Sequence, residues 1–413
     1  MNSYNSIKKN STLVVLSYWI SVSLTQTFLF GLLFYNRLSA VNSTYSWAIL
    51  YSSFLLPGAL VNTPIGIITD IFNKKRMMLL SEMFSAIISI IFLLMFLNGF
   101  NTLPYLCIYL ATFSVAFSFF EIPLDASSAI IAKDNADSLI SFVWISRALS
   151  HLIGPILGRA LSYHPKYLFI LNTASFIISA FLQYLMKYEN NYHAVSDLKI
   201  FKRVKEEISG VKNYIKQNNI ILLLLALNLV LAMFYLPIFG AIMPAMTRSL
   251  ALGETTLSYV ESSNWLGVII GSAIIITTRS SGFFLKNLFK TLAIQGGVIF
   301  TWTLVDRFFY KNQLSSILVI LSIIDGLLLT LQNLGALTYF QMRIPENMRG
   351  KILGAMRTVM KLSAPLGITI YGILLEKVSW QTMISVTATT MVLAGLIIGN
   401  TKIIKTFKKS INN

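Results

Sequence analysis

The residues of this chain that could do chemistry are charged side chains set inside long apolar stretches. Glu121 and Asp125 are four apart in one stretch, and a helix sets both on the same face. Arg147 stands in the next stretch, with His151 one turn beyond it. Glu121 precedes Lys133 by 12 residues, and Arg147 follows Asp137 by 10. At about 1.5 Å per helical residue, both side chains fall roughly 15–18 Å from the loop that joins the two stretches. Antiparallel helices would bring them to one level, where they could pair. That pair has two readings: a site that exchanges a proton as a ligand comes and goes, or an ion pair that fixes two helices and never titrates. Asp325 lies in mid-stretch with no cation at its level. An acid taken out of water without a cation is cheapest to bury protonated, so Asp325 competes with Glu121 as a proton carrier. Arg357 and Lys361 are four apart and could attract an anion. Glu261, within two turns of a stretch end, reads as an exposed rim carboxylate.

The elements that must position these groups are membrane helices. Of 413 residues, 55% are hydrophobic and 12% are charged, against about a quarter charged in soluble domains. Each charge at mid-bilayer costs on the order of 2.5–3.5 kcal/mol on insertion, so each needs a reason to be there. Apolar runs long enough to span occur at 12–35, 46–69, 77–97, 103–132, 138–163 and 167–186, then at 220–246, 256–277, 291–305, 314–340, 352–375 and 380–399. The ninth is short. The first is too long for a signal peptide, and no small-residue cleavage pattern follows it, so it is expected to remain as a spanning helix.

Loop charge sets the orientation. With the amino terminus inside, cytoplasmic segments hold 23 cations and outer segments hold six, which is the positive-inside pattern. Both termini are therefore expected in the cytoplasm. The net charge of +17 does not predict a nucleic-acid partner, because its cations sit in short loops between apolar runs and not on a polar domain. The single cysteine, Cys107, excludes an intrachain disulfide and reads as a buried, inert thiol. Six runs (residues 1–187) and six more (residues 220–413, with a basic tail) flank a cytoplasmic linker at 188–219. Within the linker, Val204, Ile208, Val211 and Ile215 recur at helical spacing, as in a helix lying along the inner interface. The halves echo each other: Arg147 and Pro155 recur as Arg357 and Pro365, both displaced by 210 residues.

Between runs 2 and 3 stand Gly66, Asp70, Asn73, Lys74, Lys75 and Arg76. Their spacing resembles the loop 2–3 motif of the major facilitator superfamily, Gly-x-x-x-Asp-x-x-Gly followed by two cations. Asn73 replaces the second glycine, which its tolerance of left-handed backbone angles permits. Further stretches are similar to the macrolide-efflux and enterobactin-exporter branch of that superfamily: Phe119-Phe120-Glu121-Ile122-Pro123, the loop from Asp134 to Leu139, Asn172-Thr173-Ala174-Ser175-Phe176, and Ile344-Pro345-Glu346-Asn347. Gly154, Pro155 and Gly158 resemble the Gly-Pro motif associated with antiporters, but Arg159 stands where its last glycine usually lies.

The resemblance implies an all-α integral membrane fold, with twelve transmembrane helices in two pseudo-symmetric six-helix halves. It implies a monomeric secondary transporter of the cell membrane that moves a small amphiphilic molecule outward in exchange for protons by alternating access. Export of a siderophore or another metabolite, or import of a nutrient, are the alternatives. Glu121, Arg147, Asp325 and Arg357 would carry proton coupling or line the substrate cavity. Gly66, Asp70, Lys74, Lys75 and Arg76 would form an inner gate, with Asp70 accepting from the inner end of run 11 and the cations reaching Asp134 or Asp137. Ser17, Ser21 and Thr25 form a polar stripe that could line a water path or glue helices together. There is no Walker-type phosphate loop, no catalytic constellation and no cofactor motif, so neither an ATP-driven pump nor an enzyme is expected.

Overall fold

The computed structural model describes residues 2–39, 44–132, 136–187, 216–278, 287–343 and 346–399. The amphipathic linker segment and loop residue Asp134 lie outside them. Every described element is a helix, and the chain forms two compact units, Met1–Asn42 with Ile49–Phe201 and Ser43–Ala48 with Lys202–Asn413. Among the described residues, ten helical segments are long and apolar enough to cross a membrane, and an eleventh, Thr358–Leu374, is apolar but shorter.

The first unit contains α1 (Asn2–Ser39), α2 (Thr44–Ile71) from Ile49 onward, α3 (Lys74–Leu97), α4 (Leu103–Ala132), α5 (Ala136–Leu161) and α6 (Pro165–Leu185). Helix α1 packs on α4, α5 and α6, while α3 packs on α4 and α6. Helix α3 shows the logic of the solvent. Its Leu80, Phe84, Ile87, Ile91 and Leu94 form one exposed stripe, while Ser81, Glu82, Ser85 and Ser89 point inward. In water that arrangement would be inverted. In a bilayer the apolar stripe meets lipid, and the small polar side chains let helices approach and bond across their interface. Ser81 Oγ, for example, donates to the Ala116 carbonyl at 2.6 Å.

Glycines set the tightest crossings. A Cβ at Gly158 would stand 2.7 Å from Gly31 N and 2.8 Å from Thr27 O, so α5 lies backbone against backbone on α1. Gly154 likewise faces Gln26, and both glycines and Pro155 are buried. The Gly-Pro stretch is therefore a packing seam of the first unit.

The second unit contains α7 (Asn219–Val230), α8 (Met243–Ser249), α9 (Gly253–Thr278), α10 (Leu288–Thr301), α11 (Val305–Phe308), α12 (Lys311–Arg343), α13 (Glu346–Leu374) and α14 (Trp380–Gly399). Between α7 and α8 the helix widens into two π segments, Leu231–Tyr235 and Ile238–Ile242, on either side of Pro237. Pro237 has no N–H to give to the ladder, and a π-bulge absorbs such a break without ending the helix. The short ninth run is longer than its composition suggests: α10 continues through a 3₁₀ turn into α11, an apolar span over Leu288–Phe308.

Each unit contains its own copy of one helix crossing. Gly58 of α2 meets Ser114 and Ser118 of α4, and Gly267 of α9 meets Ile323 and Leu327 of α12. All three positions are displaced by 209 residues (58 to 267, 114 to 323, 118 to 327). The repeat read from Arg147 and Pro155 thus extends to a helix crossing that no shared residue type marks, apart from the glycine.

Candidate functional site

In the first unit, Arg147 Nη2 meets Glu121 Oε1 at 2.6 Å, joining α5 to α4. Arg147 Nε donates to Tyr18 Oη of α1 at 2.7 Å. Its guanidinium also lies over the Trp144 ring, 4.6 Å from the centroid. The Arg147 and Glu121 side chains are 19% and 15% exposed, so the pair is largely removed from its surroundings without being sealed. Tyr18 itself belongs to a buried cluster with Val14, Val22, Phe120 and Leu124. One carboxylate, one phenol and one ring face thus hold this cation together. Asp125 is exposed, and His151 stands half-buried one turn from Arg147.

In the second unit, Asp325 is fully buried on α12. Three side chains donate to its carboxyl: Tyr235 from the first π segment at 2.7 Å, Asn264 from α9 at 3.0 Å and Gln295 from α10 at 2.8 Å. Gln332 donates in turn to Gln295 at 2.8 Å. The acid without a cation is therefore not bare. A donor on each oxygen supplies the solvation that water or a cation would otherwise give. Tyr235 closes the first π segment and reaches α12 from there. Glu261 is 6% exposed, which corrects its reading as a rim carboxylate: α9 turns it inward beside Ser262 and Ser263. Arg357 lies on α13, but its side chain is outside the described residues; Lys361 is exposed.

The stretch between α2 and α3 is held within the first unit. Gly66 has open space around its Cβ position. Asp70 ends α2, with its side chain outside the described residues. Asn73 is not left-handed. It sits at φ −66°, ψ 110°, and its side chain accepts from Arg76 N at 3.0 Å as the N-cap of α3. Asn succeeds at this position because it caps, not because it mimics glycine. Lys74 is 8% exposed. Lys75 Nζ donates to the carbonyls of Tyr184 at 3.0 Å and Met186 at 2.5 Å, so it caps the C-terminus of α6, where a cation is favoured. Arg76 is exposed, and the side chain of Asp137 lies outside the described residues.

Two features escaped sequence reasoning. Glu82, eight residues after Lys74, is buried in α3; its signal was an acid inside run 3. Tyr18, a partner of the Arg147 pair, carried no signal beyond its place in an apolar run. The polar stripe of α1 is buried within the unit, with Ser17, Ser21 and Thr25 each at most 1% exposed. Among the described residues, no three His, Cys, Asp or Glu side chains come together.

The long apolar helices and the charges buried among them define a multi-pass membrane protein. Residues 12–305 match the model of the Major Facilitator Superfamily, and the chain belongs to that family. No curated protein sequence matches the chain. Among solved structures, a point mutant of the nucleoside transporter NupG is 13% identical with a TM-score of 0.70, covering 94% of this chain and 98% of that one. A D-xylose-proton symporter is 12% identical with a TM-score of 0.68, covering 96% and 97%. A POT family transporter in complex with a thioalcohol-conjugated peptide is 13% identical with a TM-score of 0.66, covering 99% and 100%. At such identities the likeness is one of fold.

Proposed function

We propose that this protein exports a small amphiphilic organic molecule of the macrolide-drug type from the cytoplasm, across the cell membrane, in exchange for protons. The observation that carries the coupling is the Arg147–Glu121 pair, bonded at 2.6 Å and only partly shielded. A proton arriving on Glu121 cancels the negative charge that a cationic or hydrogen-donating group of the substrate would meet, while the guanidinium keeps Tyr18 and Trp144. Proton and substrate then compete for one carboxylate, which is the minimal requirement for exchange, and alternating access would carry each in its own direction. Asp325 suits this role less well. Tyr235, Asn264 and Gln295 already solvate both of its oxygens, so it needs neither a proton nor a substrate to be buried there. We assign it to holding the second unit's helices in register. The outward direction rests on the resemblance of the Glu121 and Gly154–Gly158 stretches to exporters.

The test is transport into inside-out vesicles with an imposed pH gradient, using a labelled macrolide and ethidium as probes. Accumulation that collapses with the gradient supports the proposal. Accumulation indifferent to the gradient refutes proton coupling, and accumulation only in right-side-out vesicles refutes export.

A further inference from the structure

Trp144 stands in mid-helix beside the Arg147–Glu121 pair, yet it is 51% exposed. The large exposed side chains of α5 fall on two sides of the helix. At 3.6 residues per turn, Phe142, Ile145 and Ile156 lie about 140–180° round from Arg147, on the far side. All three are exposed and apolar, as a surface covered by lipid requires. Trp144 lies about 60° from Arg147 and His151 about 40°, so the three share one flank at i, i+3 and i+7.

A charge inside the bilayer is kept toward water or a partner and away from lipid. Both members of the pair retain some open surface, 19% and 15% of their side chains. The guanidinium lies over the Trp144 ring, 4.6 Å from its centroid. The open part of the indole therefore borders the polar space that reaches the pair. Arg147 takes one face of the ring, and the other face is on offer. Ile140, one turn nearer the loop, is exposed on the same flank and adds an apolar neighbour.

The guanidinium behind the ring already uses its quadrupole, so a second cation in front would be opposed by the first. The free face suits an uncharged flat surface, an aromatic ring or the C–H face of a saturated one, laid against it in an offset stack. A positive or donating group of the same molecule belongs at Glu121, which a single guanidinium separates from the ring.

We propose that Trp144 is a specificity residue of the transport site, stacking on a flat ring of the substrate whose adjoining amine meets Glu121. The inference rests on the exchange reading above and narrows its substrates from amphiphiles in general to amine-bearing rings. A macrolide brings such a ring as an amino sugar, and propranolol brings one as a naphthalene with an amine arm.

The experiment is equilibrium binding of labelled macrolide and labelled propranolol to the purified full chain in detergent, with no pH gradient, so that proton coupling does not enter. Trp144→Leu should weaken binding of at least one probe about 5–10-fold, and a loss confined to one probe supports the proposal and identifies the ring. Trp144→Phe, which keeps a ring face, should bind within about threefold of the wild type. Phe142→Leu, on the far side of α5, should bind like the wild type. Hexylamine, an amine without a ring, should displace bound label from wild type and Trp144→Leu at the same concentration. Should Trp144→Leu not fold, Trp144→Met removes the ring with a side chain that fills irregular space. Unchanged affinity of the Leu or Met variant for both probes would overturn the proposal. So would a Phe variant as weak as Leu, or a loss of hexylamine binding equal to that of the ringed probes, which would leave Trp144 only the task of holding Arg147. If neither probe binds the wild type, the substrate class proposed above falls together with this inference; if both bind and Trp144→Leu binds them as tightly, this inference falls alone.

Discussion

Replacing Glu121 with Gln keeps the shape of the side chain and one acceptor oxygen while deleting the charge that faces Arg147. The charge centres of a pair bonded at 2.6 Å lie about 4 Å apart, which gives an attraction of about 4 kcal/mol at an effective dielectric of about 20. The side chains retain 15–19% exposure, so solvent screens part of that energy. Arg147 also keeps its bond to Tyr18 and its contact with Trp144. The expected net loss is about 2–3 kcal/mol, below the roughly 3–5 kcal/mol of a sealed pair, or about 5–8 °C in melting temperature for a unit of this size. Arg147→Gln should lose at least as much. The double variant should lose less than the two singles combined, with a coupling energy of about 2 kcal/mol. In inside-out vesicles, Glu121→Gln should abolish gradient-driven accumulation but retain exchange of labelled for unlabelled substrate, because only the proton step is removed. A coupling energy below about 1 kcal/mol would place the pair among exposed salt bridges and refute the energetic argument. Gradient-driven accumulation at the wild-type rate would refute the functional one.

Other substitutions separate packing from chemistry. Gly267→Ala and Gly326→Ala should each prevent recovery of folded protein, because an added Cβ would overlap the backbone carbonyl of Ile323 or Asn264, and backbone cannot step aside; Gly297→Ala, with nothing within 4 Å, should melt like the wild type. Asp325→Asn should lower stability by about 1–3 kcal/mol, since an amide N–H₂ must face one of the donors from Tyr235, Asn264 or Gln295; a melt indistinguishable from wild type would contradict the donor-only shell. Asp70→Asn should slow transport while leaving equilibrium substrate binding near wild type, measured by the same vesicle flux and by ligand binding in detergent. Lys75→Met should lower the melting temperature by about 1–3 °C through loss of the α6 cap, with the transported substrate unchanged.

What composition and order determine here is the solvent and the list of expensive residues. Lipid tolerates long apolar helices and little else, so 413 residues with 12% charge announce a helical membrane protein before any fold is known. The level of Glu121 and Arg147 is also a linear quantity, a count of residues from a loop multiplied by a fixed rise. Their bond forms at the junction that this count indicates. The glycine crossing repeated at 209 residues extends the same duplication that Arg147 and Pro155 reveal.

Tertiary structure alone decided which neighbours each charge meets, because side-chain environment depends on the rotation of several helices about their axes at once. Asp325, without a cation in its own run, draws three donors from a π segment, α9 and α10, and no local pattern encodes that π segment's register. Glu261 turns inward where its distance from the run's end suggested a rim. Asn73 resembled a stand-in for glycine and proved to be an extended N-cap, because capping depends on where the first free amides of α3 point. Glu82 is the clearest case. In the sequence it is one acid near the start of an apolar run; in the fold it is a buried carboxyl that accepts from Ser179 of α6. Burial converts an acid's position into a chemical demand, and only packing fixes which groups are present to meet it.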